Sequence, residues 1–303
     1  MSRVLFSRGA QGGIVRRLQS GLNLPPAQID GQYGGITAQA VTSFQTSNGL
    51  SATGEVDEDT WVKLMQAPIP EVKERALQLT AAFEGHGFSL AEGNFDGAGI
   101  TWGIIGFTLQ GGELGRIVKQ IEADHPGMVG DAFGDSASQL FEILDAGWAE
   151  QINFANSISQ GVSKGVLAEP WLSGFRRLGE QPVVQQLQLA IVDKDYFEPA
   201  LLTASRFNLN TELGIALAFD IHVQNGSIPA AAAQQIQETL AGHPSDSEQD
   251  LRIAIANAVA DSAVEAFRED VRQRKLTVAT GSGQVHGGTY VLRNWGLAEL
   301  PYA

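Results

Sequence analysis

The chain has 303 residues, 43% of them hydrophobic, with 34 acidic against 20 basic side chains, a net charge of −14 and no cysteine. At about 150 residues per domain this length predicts roughly two domains with real cores, and the lack of cysteine excludes a disulfide framework, a thiolate metal site and a cysteine nucleophile. The acidic balance argues against nucleic acid, whose binding depends on Lys and Arg neutralising phosphates, and suits a cationic or neutral ligand; no stretch approaches the about 18 continuous apolar residues of a membrane span.

In chain order, Met1 runs into Arg3 and Arg8 with no apolar core behind them, so no signal peptide and no membrane insertion are predicted. The first region is glycine-punctuated. Its periodicity predicts helices over about 12–22, 37–48 and 57–65, with polar turns at Asp30-Gly31 and Thr53-Gly54 and with Thr37 and Asp57 as N-caps. Pro68-Ile69-Pro70 disfavours helix on both sides and sets a boundary: domains at 1–67 and 71–303 with a linker at 68–70. Beyond it, helices are predicted over about 71–83, 113–124, 136–160, 183–192, 197–206, 211–224, 229–241 and 247–274. One glycine-rich, partly β-branched interruption, Phe88 to Phe107, predicts a small hairpin or sheet.

The first region carries, in order, Gly9, Gly12, Val15, Leu18-Gln19, Leu22, Asp30-Gly31-Gln32-Tyr33-Gly34, Thr37, Ala40-Val41, Phe44-Gln45, Gly49-Leu50, Thr53-Gly54, Val56-Asp57, Thr60-Trp61 and Leu64. This series resembles the three-helix peptidoglycan-binding module over its whole length. Leu18, Leu22, Val41, Phe44, Leu50, Trp61 and Leu64 are expected in its core, with the glycines setting turns. The wall attachment that the resemblance implies then falls to Asp30, Gln32 and Tyr33 beside the Asp30 to Gly35 loop, and supplies local concentration rather than chemistry.

Glu84 closes the apolar helix ending at Phe83, so its carboxyl is expected at the edge of a core, where partial burial raises its pKa toward that of a general acid. Asp96 lies 12 positions later in the turn Asn94-Phe95-Asp96-Gly97, where exposure keeps a carboxylate ionised, and Thr101 follows 5 positions on with a hydroxyl able to orient water. Two carboxyls in different environments are the minimum for glycoside hydrolysis, one protonating the leaving oxygen and one activating water. On spacing alone the set is weak, because a Glu ending a helix is usually solvated and Asp-Gly is usually only a turn.

Phe83-Glu84, followed by Asp96-Gly97-Ala98-Gly99-Ile100-Thr101-Trp102-Gly103-Ile104-Ile105-Gly106-Phe107, resembles the catalytic segment of the chitosanase family within the lysozyme superfamily. The order of Glu, hairpin Asp and Thr also resembles phage-type lysozymes. The resemblance implies Glu84 as general acid, Asp96 as base or electrostatic partner and Thr101 as holder of the attacking water, with inversion at the sugar carbon. It continues more weakly through Asp193 to Ala200 and Leu213 to Gly226. The Glu84 to Asp96 interval is shorter than in chitosanases and nearer the phage lysozymes, so a substrate is not inherited from the chitosanases.

Other residues have two readings each. Asp220, on an apolar helix, is expected to form a buried ion pair with Arg206 or Arg176 that braces the cleft. Glu92 is a substitute acid or substrate-binding carboxylate, or a solvated hairpin residue. Trp102 stacks on a sugar face or fills core, and Phe107 reads better as core. The five histidines lack metal-ligand spacing, so no metal or cofactor is predicted, and His86 and His222 read as cleft wall or core. Gly281 to Gly288 has His286 where a dinucleotide fingerprint needs its third glycine, and reads as a flexible loop or a rim of the cleft.

The expected fold is mainly α: a small three-helix N-terminal domain plus a lysozyme-like α+β domain with a small β-hairpin or sheet at the active-site cleft. The expected protein is a cell-wall hydrolase, an N-acetylmuramidase cleaving the peptidoglycan backbone by an inverting acid/base mechanism, its substrate taken from the first module. Its rivals are a chitosanase, whose cationic glucosamines suit an acidic cleft; a lytic transglycosylase, which needs the Glu but not Asp96 and Thr101; and a non-catalytic wall-binding or virion structural protein. Without a signal peptide, two routes to the periplasmic wall fit: holin-dependent release of a phage endolysin, or delivery of an antibacterial effector by a contact-dependent secretion machine, with an immunity partner.

Overall fold

The computed structural model describes residues 2–85, 87–242 and 247–302. Among them the chain is mainly helical, with four small antiparallel sheets. It forms two compact units, one of Met1–Phe83 with Asp193–Ala303 and one of Glu84–Val192. The first unit holds the expected 1–67 segment together with residues 68–83 and 193–303.

In the first unit, β1 (Val4–Phe6) pairs with β2 (Val56–Asp57) beside helices α1 (Gly13–Gly21), α2 (Gly35–Ser47) and α3 (Glu58–Met65). Asp57 caps α3 by accepting from Thr60 N at 2.8 Å. Helix α2 starts earlier than predicted, after Gly34, so Thr37 lies inside it and its hydroxyl donates to Gln32 O instead. Leu18, Val41 and Trp61 are buried, while Leu22, Phe44, Leu50 and Leu64 are half-buried.

Two buried amides organise the turns of this segment. Gln19 donates to Asp30 and Thr37 and accepts from Gly31 N, and Gln45 donates to Glu55 O and Thr60 and accepts from Gly54 N. Removing such a group strands its buried partners. Gln45→Ala is therefore expected to destabilise the protein by about 1–3 kcal/mol, read from urea midpoints.

The segment shares a unit with later residues because its polar groups are satisfied there. Ile14 N donates to Gln78 Oε1 at 3.3 Å, Ser7 N to Asn294 O at 3.1 Å and Trp61 Nε1 to Pro68 O at 2.8 Å. Arg75 and Glu212, each 3% exposed, pair at 2.9 Å, and Arg3 also reaches Glu212. Buried charges need such partners. Helix α4 (Val72–Glu84) then leads to residue 84, where the second unit begins.

The second unit holds a three-stranded sheet of β3 (Ala91–Glu92), β4 (Thr101–Trp102) and β5 (Phe107–Thr108), which falls where the glycine-rich interruption predicted one. Helices α5 (Glu113–Asp124), α6 (Met128–Phe133), α7 (Ala137–Asp145) and α8 (Trp148–Ile158) follow, then the hairpin of β6 (Ser159–Gln160) and β7 (Val166–Leu167), then α9 (Trp171–Gly179) and α10 (Pro182–Val192). The helix predicted over 136–160 is two, because Ala146 and Gly147 are both extended. Helices α6 and α9 are unpredicted. They pack through Phe133 against Trp171 and Phe175, a fit that needs Gly174, whose added Cβ would stand 2.3 Å from the Phe133 ring.

The chain returns to the first unit through a π-helical turn (Asp193–Phe197), α11 (Glu198–Arg206), α12 (Glu212–Asn225), α13 (Ala230–Gly242), α14 (Glu248–Asp261) and α15 (Arg268–Thr280). The helix predicted over 247–274 is broken between α14 and α15. Gly281 to Gly288 is not a flexible loop: β8 (Ser282–Val285) and β9 (Gly288–Val291) form a hairpin. Its two-residue turn, His286-Gly287, has φ of +49° and +79°, the paired left-handed conformation that matches strand twist.

Candidate functional site

Residues opposite one another in an antiparallel sheet share a face. The register Glu92↔Thr101↔Thr108 puts these three on one face, and Ala91↔Trp102↔Phe107 occupy the other. The second row is the apolar one. Trp102 is fully buried, its ring centroid 5.4 Å from that of Phe175, so it is core and not a sugar platform; Phe107 is core as well. Thr101 is only 5% exposed, and its hydroxyl has no hydrogen-bond partner among the described residues.

The turn between β3 and β4 is pinned by its own polar residues. Asp96 Oδ1 accepts from Ala98 N and Asn94 Oδ1 from Gly99 N, each at 2.9 Å. Asn94 also donates through its backbone to Ser159 Oγ and through its amide to Asn156 Oδ1. Gly93 N donates to Gly165 O at 3.0 Å, and a Cβ on Gly93 would stand 2.3 Å from Lys164 O. Only glycine lets the backbones approach so closely. The result is an exposed Asp96 carboxylate on a turn held against the β6–β7 hairpin.

Beside Asp96, Phe95 is 50% exposed. The sequence reading passed over it, although an aromatic inside a polar Asn-x-Asp-Gly turn has no core to fill and was the available signal.

Glu84, the last residue of α4, is half-buried, as is Glu92 on β3. The Glu92 carboxyl is pushed above its ordinary range, first by burial and then by the negative charges of Asp96 and Glu84. The negative charges of Glu84 and Asp96 thus reach Glu92 and favour its protonated form.

Because Glu92 has a raised folded-state pKa, the stability linked to it is full below the ordinary carboxylate range and is lost as pH rises through the raised value. Glu92→Gln is therefore expected to raise the melting temperature near neutral pH and to lose that advantage near about pH 4. Thermal melts across this range check it.

Within the first unit, the last turn of α4 is fixed from several sides. Tyr290 donates to Ala82 O at 3.1 Å, His286 Nδ1 lies 3.0 Å from Phe83 O, and the Arg274 guanidinium stands 5.3 Å from the Phe83 ring centroid. Thr80 donates to Asp220 at 3.0 Å.

Asp220 makes a buried ion pair, but not with either expected partner. Arg274 reaches it at 2.8 Å and Lys275 at 2.6 Å, and all three are at most 1% exposed. Burial opposes ionisation of this carboxyl, yet the two cations outweigh it and hold the group well below the usual range. Arg206 is exposed and lies over the Phe207 ring at 5.2 Å; Arg176 is exposed on α9 in the other unit. The correction is one of helix length: α15 continues past 274 to Thr280, so Arg274 and Lys275 sit in its interior.

In the N-terminal module, Asp30 and Gln32 are exposed, and hydrogen bonds from Gln19 and then the Gln32 backbone lower the Asp30 pKa. Tyr33 is 2% exposed and donates to Gly54 O at 3.0 Å, so it anchors a turn and is not a surface aromatic. His222 is buried with Thr203 at 2.8 Å, and burial lowers its pKa; His86 lies outside the described residues.

Residues 12–64 match the family model of the peptidoglycan binding domain. No curated protein matches the chain. Among solved structures, the chain is similar to a GH46 chitosanase of Gynuella sunshinyii in complex with chitotetraose, at 18% identity over 74% of this chain and 99% of that one, with a TM-score of 0.51. It is also similar to the native chitosanase of Bacillus subtilis MY002, at 19% identity over 74% of this chain and 99% of that one, with a TM-score of 0.53. A mutant of the Bacillus enzyme complexed with 6 GlcN gives 18% identity, 75% and 100% coverage, and a TM-score of 0.55. The chain thus joins an N-terminal peptidoglycan-binding-type domain to the lysozyme-like fold of the chitosanases.

Proposed function

We propose that the protein is a glycoside hydrolase of wall glycan, an N-acetylmuramidase that cleaves the peptidoglycan backbone with inversion. The observation that carries this reading is the carboxyl cluster of Glu84, Glu92 and Asp96 beside the unpartnered hydroxyl of Thr101. The match of residues 12–64 directs it toward peptidoglycan.

Glu84 gives its proton to the leaving glycosidic oxygen as the bond to the anomeric carbon breaks. Asp96 takes a proton from the water that attacks the opposite face, and Thr101 Oγ1 orients that water. Glu92, directly across the strand pair from Thr101, is the second candidate for the acid. Phe95 supplies an exposed ring for a sugar face. Since a displacement near 1 Å costs about 10²-fold in rate, Gly93→Ala is expected to lower turnover on that scale, measured as kcat on the productive polymer.

A second reading, hydrolysis of chitosan, has an observation in its favour. A cavity of about 400 Å³ in the first unit is lined by Gln224, Asn225, Phe267 and Asp270, among others. The side-chain oxygens of Gln224 and Asn225 are buried there without a donor among the described residues. Acceptors beside a carboxylate suit the ammonium of glucosamine.

Digestion of purified sacculi and of chitosan in parallel, with products read by mass spectrometry, separates the readings. Reducing-end muropeptides are expected. Anhydromuramic ends would make it a lytic transglycosylase, glucosamine oligomers alone would select the second reading, and no product from either would leave a binding protein.

A further inference from the structure

A cleft of about 760 Å³ in the second unit, lined by α5, the start of α8 and the residues after β5, has a chemistry opposite to that of the carboxyl cluster. Residues 84–192 contain five basic against thirteen acidic side chains. Two of the five, Arg116 and Lys119, line this cleft three positions apart on one face of α5, both exposed. Lys119 also reaches Asp145 at 2.6 Å.

Trp148, the first residue of α8, lines the same cleft and is 40% exposed. The other tryptophans, Trp61, Trp102, Trp171 and Trp295, are at most 4% exposed. An indole left in water at a concave, cation-lined site is not filling core. Gly112 and Gly115 lie in the lining, and the space beside Gly112 is open for 4 Å around an added Cβ.

The wall of the cleft also runs into the catalytic turn. Gln110, in the lining, donates its backbone N–H to Ala98 O at 3.0 Å, and Leu109 donates to Ile100 O at 2.9 Å. Asp96 and Thr101 flank these two carbonyls in sequence.

An aromatic platform, two cations and several amides in one open concavity fit a ligand with both a sugar face and carboxylates. We propose that this cleft binds the peptide-substituted, anionic part of the glycan strand: a muramyl sugar with its lactyl-peptide carboxylates. The proposal rests on the wall-glycan reading and sharpens it. Chitosan brings like charge to Arg116 and Lys119, and an unsubstituted N-acetylglucosamine oligomer brings no carboxylate for them to pair.

Trp148 makes the test site-specific, because it is the accessible tryptophan and Trp61 of the N-terminal module is buried. Acrylamide quenching of the full chain would be followed while a disaccharide-tetrapeptide muropeptide is titrated in, with a neutral N-acetylglucosamine oligomer and a glucosamine oligomer as comparators. Saturable protection by the muropeptide is expected. The quenchable component should vanish in Trp148→Phe, and the double variant Arg116→Gln with Lys119→Gln should weaken protection about tenfold, more at low salt.

No protection would overturn the proposal, as would protection by the neutral or cationic oligomer that equals the muropeptide's, or protection unchanged in the double variant. Sacculus digestion by the wild type, run beside it, separates the two levels. Digestion without protection removes the cleft and keeps the hydrolase; charge-dependent protection without digestion keeps the cleft and removes the muramidase.

Discussion

Glu84→Gln and Asp96→Asn are each expected to lower turnover on the productive polymer by about 10²–10⁴-fold, the usual worth of a general acid or base, with little change in melting temperature. Both substitutions preserve shape. Asp96 is exposed, and the hydrogen bond it accepts from Ala98 N needs one acceptor oxygen that Asn retains. Glu84 is half-buried at a helix end whose preceding carbonyls are held by Tyr290 and His286, so loss of its charge leaves the turn in place.

Glu92→Gln decides between the two candidate acids. Glu92 is the carboxyl that burial and its neighbours push toward protonation. If Glu84 is the acid, Glu92→Gln should retain substantial turnover while Glu84→Gln does not. The reverse ranking would move the acid to β3, opposite Thr101. Steady-state kcat of the three variants on one polymer, with melts to show that each is folded, is sufficient.

Asp220→Asn is expected to destabilise the protein by about 3–5 kcal/mol, because removing one partner of a buried ion pair strands the other. Here one carboxylate serves two cations: Arg274 and Lys275 are both fully buried against it, and Thr80 donates to it as well. Arg206→Ala, at the residue first expected to pair with Asp220, should cost less than about 0.5 kcal/mol, since its side chain is exposed over Phe207. Urea unfolding of both variants measures the contrast, and equal losses would count against this assignment of partners.

The pH dependence carries a definite sign. The folded-state pKa of Asp220 is depressed, so its stabilisation is present above the ordinary carboxylate range and is lost only as pH falls through the depressed value. The gap between wild type and Asp220→Asn should therefore hold from about pH 8 to about pH 4 and close only in stronger acid.

Much of the local structure was legible before any coordinates. The Asp57 cap and the Asp30 turn follow from carboxylates that accept from backbone two or three residues on, at Thr60 N and Gln32 N. Such chemistry is written within a few residues. The helix predicted over 136–160 failed on the same scale, since Ala146 and Gly147 interrupt a continuous apolar pattern without a strong breaker.

Amino-acid order alone determined the helical character, the module at the N-terminus and which carboxyls and hydroxyl were worth watching. Tertiary structure decided partners and faces: Asp220 meets cations 54 and 55 positions away, Tyr33 and Trp102 turn inward, Glu92 stands opposite Thr101, and the N-terminal segment shares a unit with residues beyond 192. Periodicity says that a helix has an apolar face, not which distant face covers it. That choice is settled by buried charges and polar atoms finding partners across the chain, where the cost of leaving one unpaired exceeds any local preference.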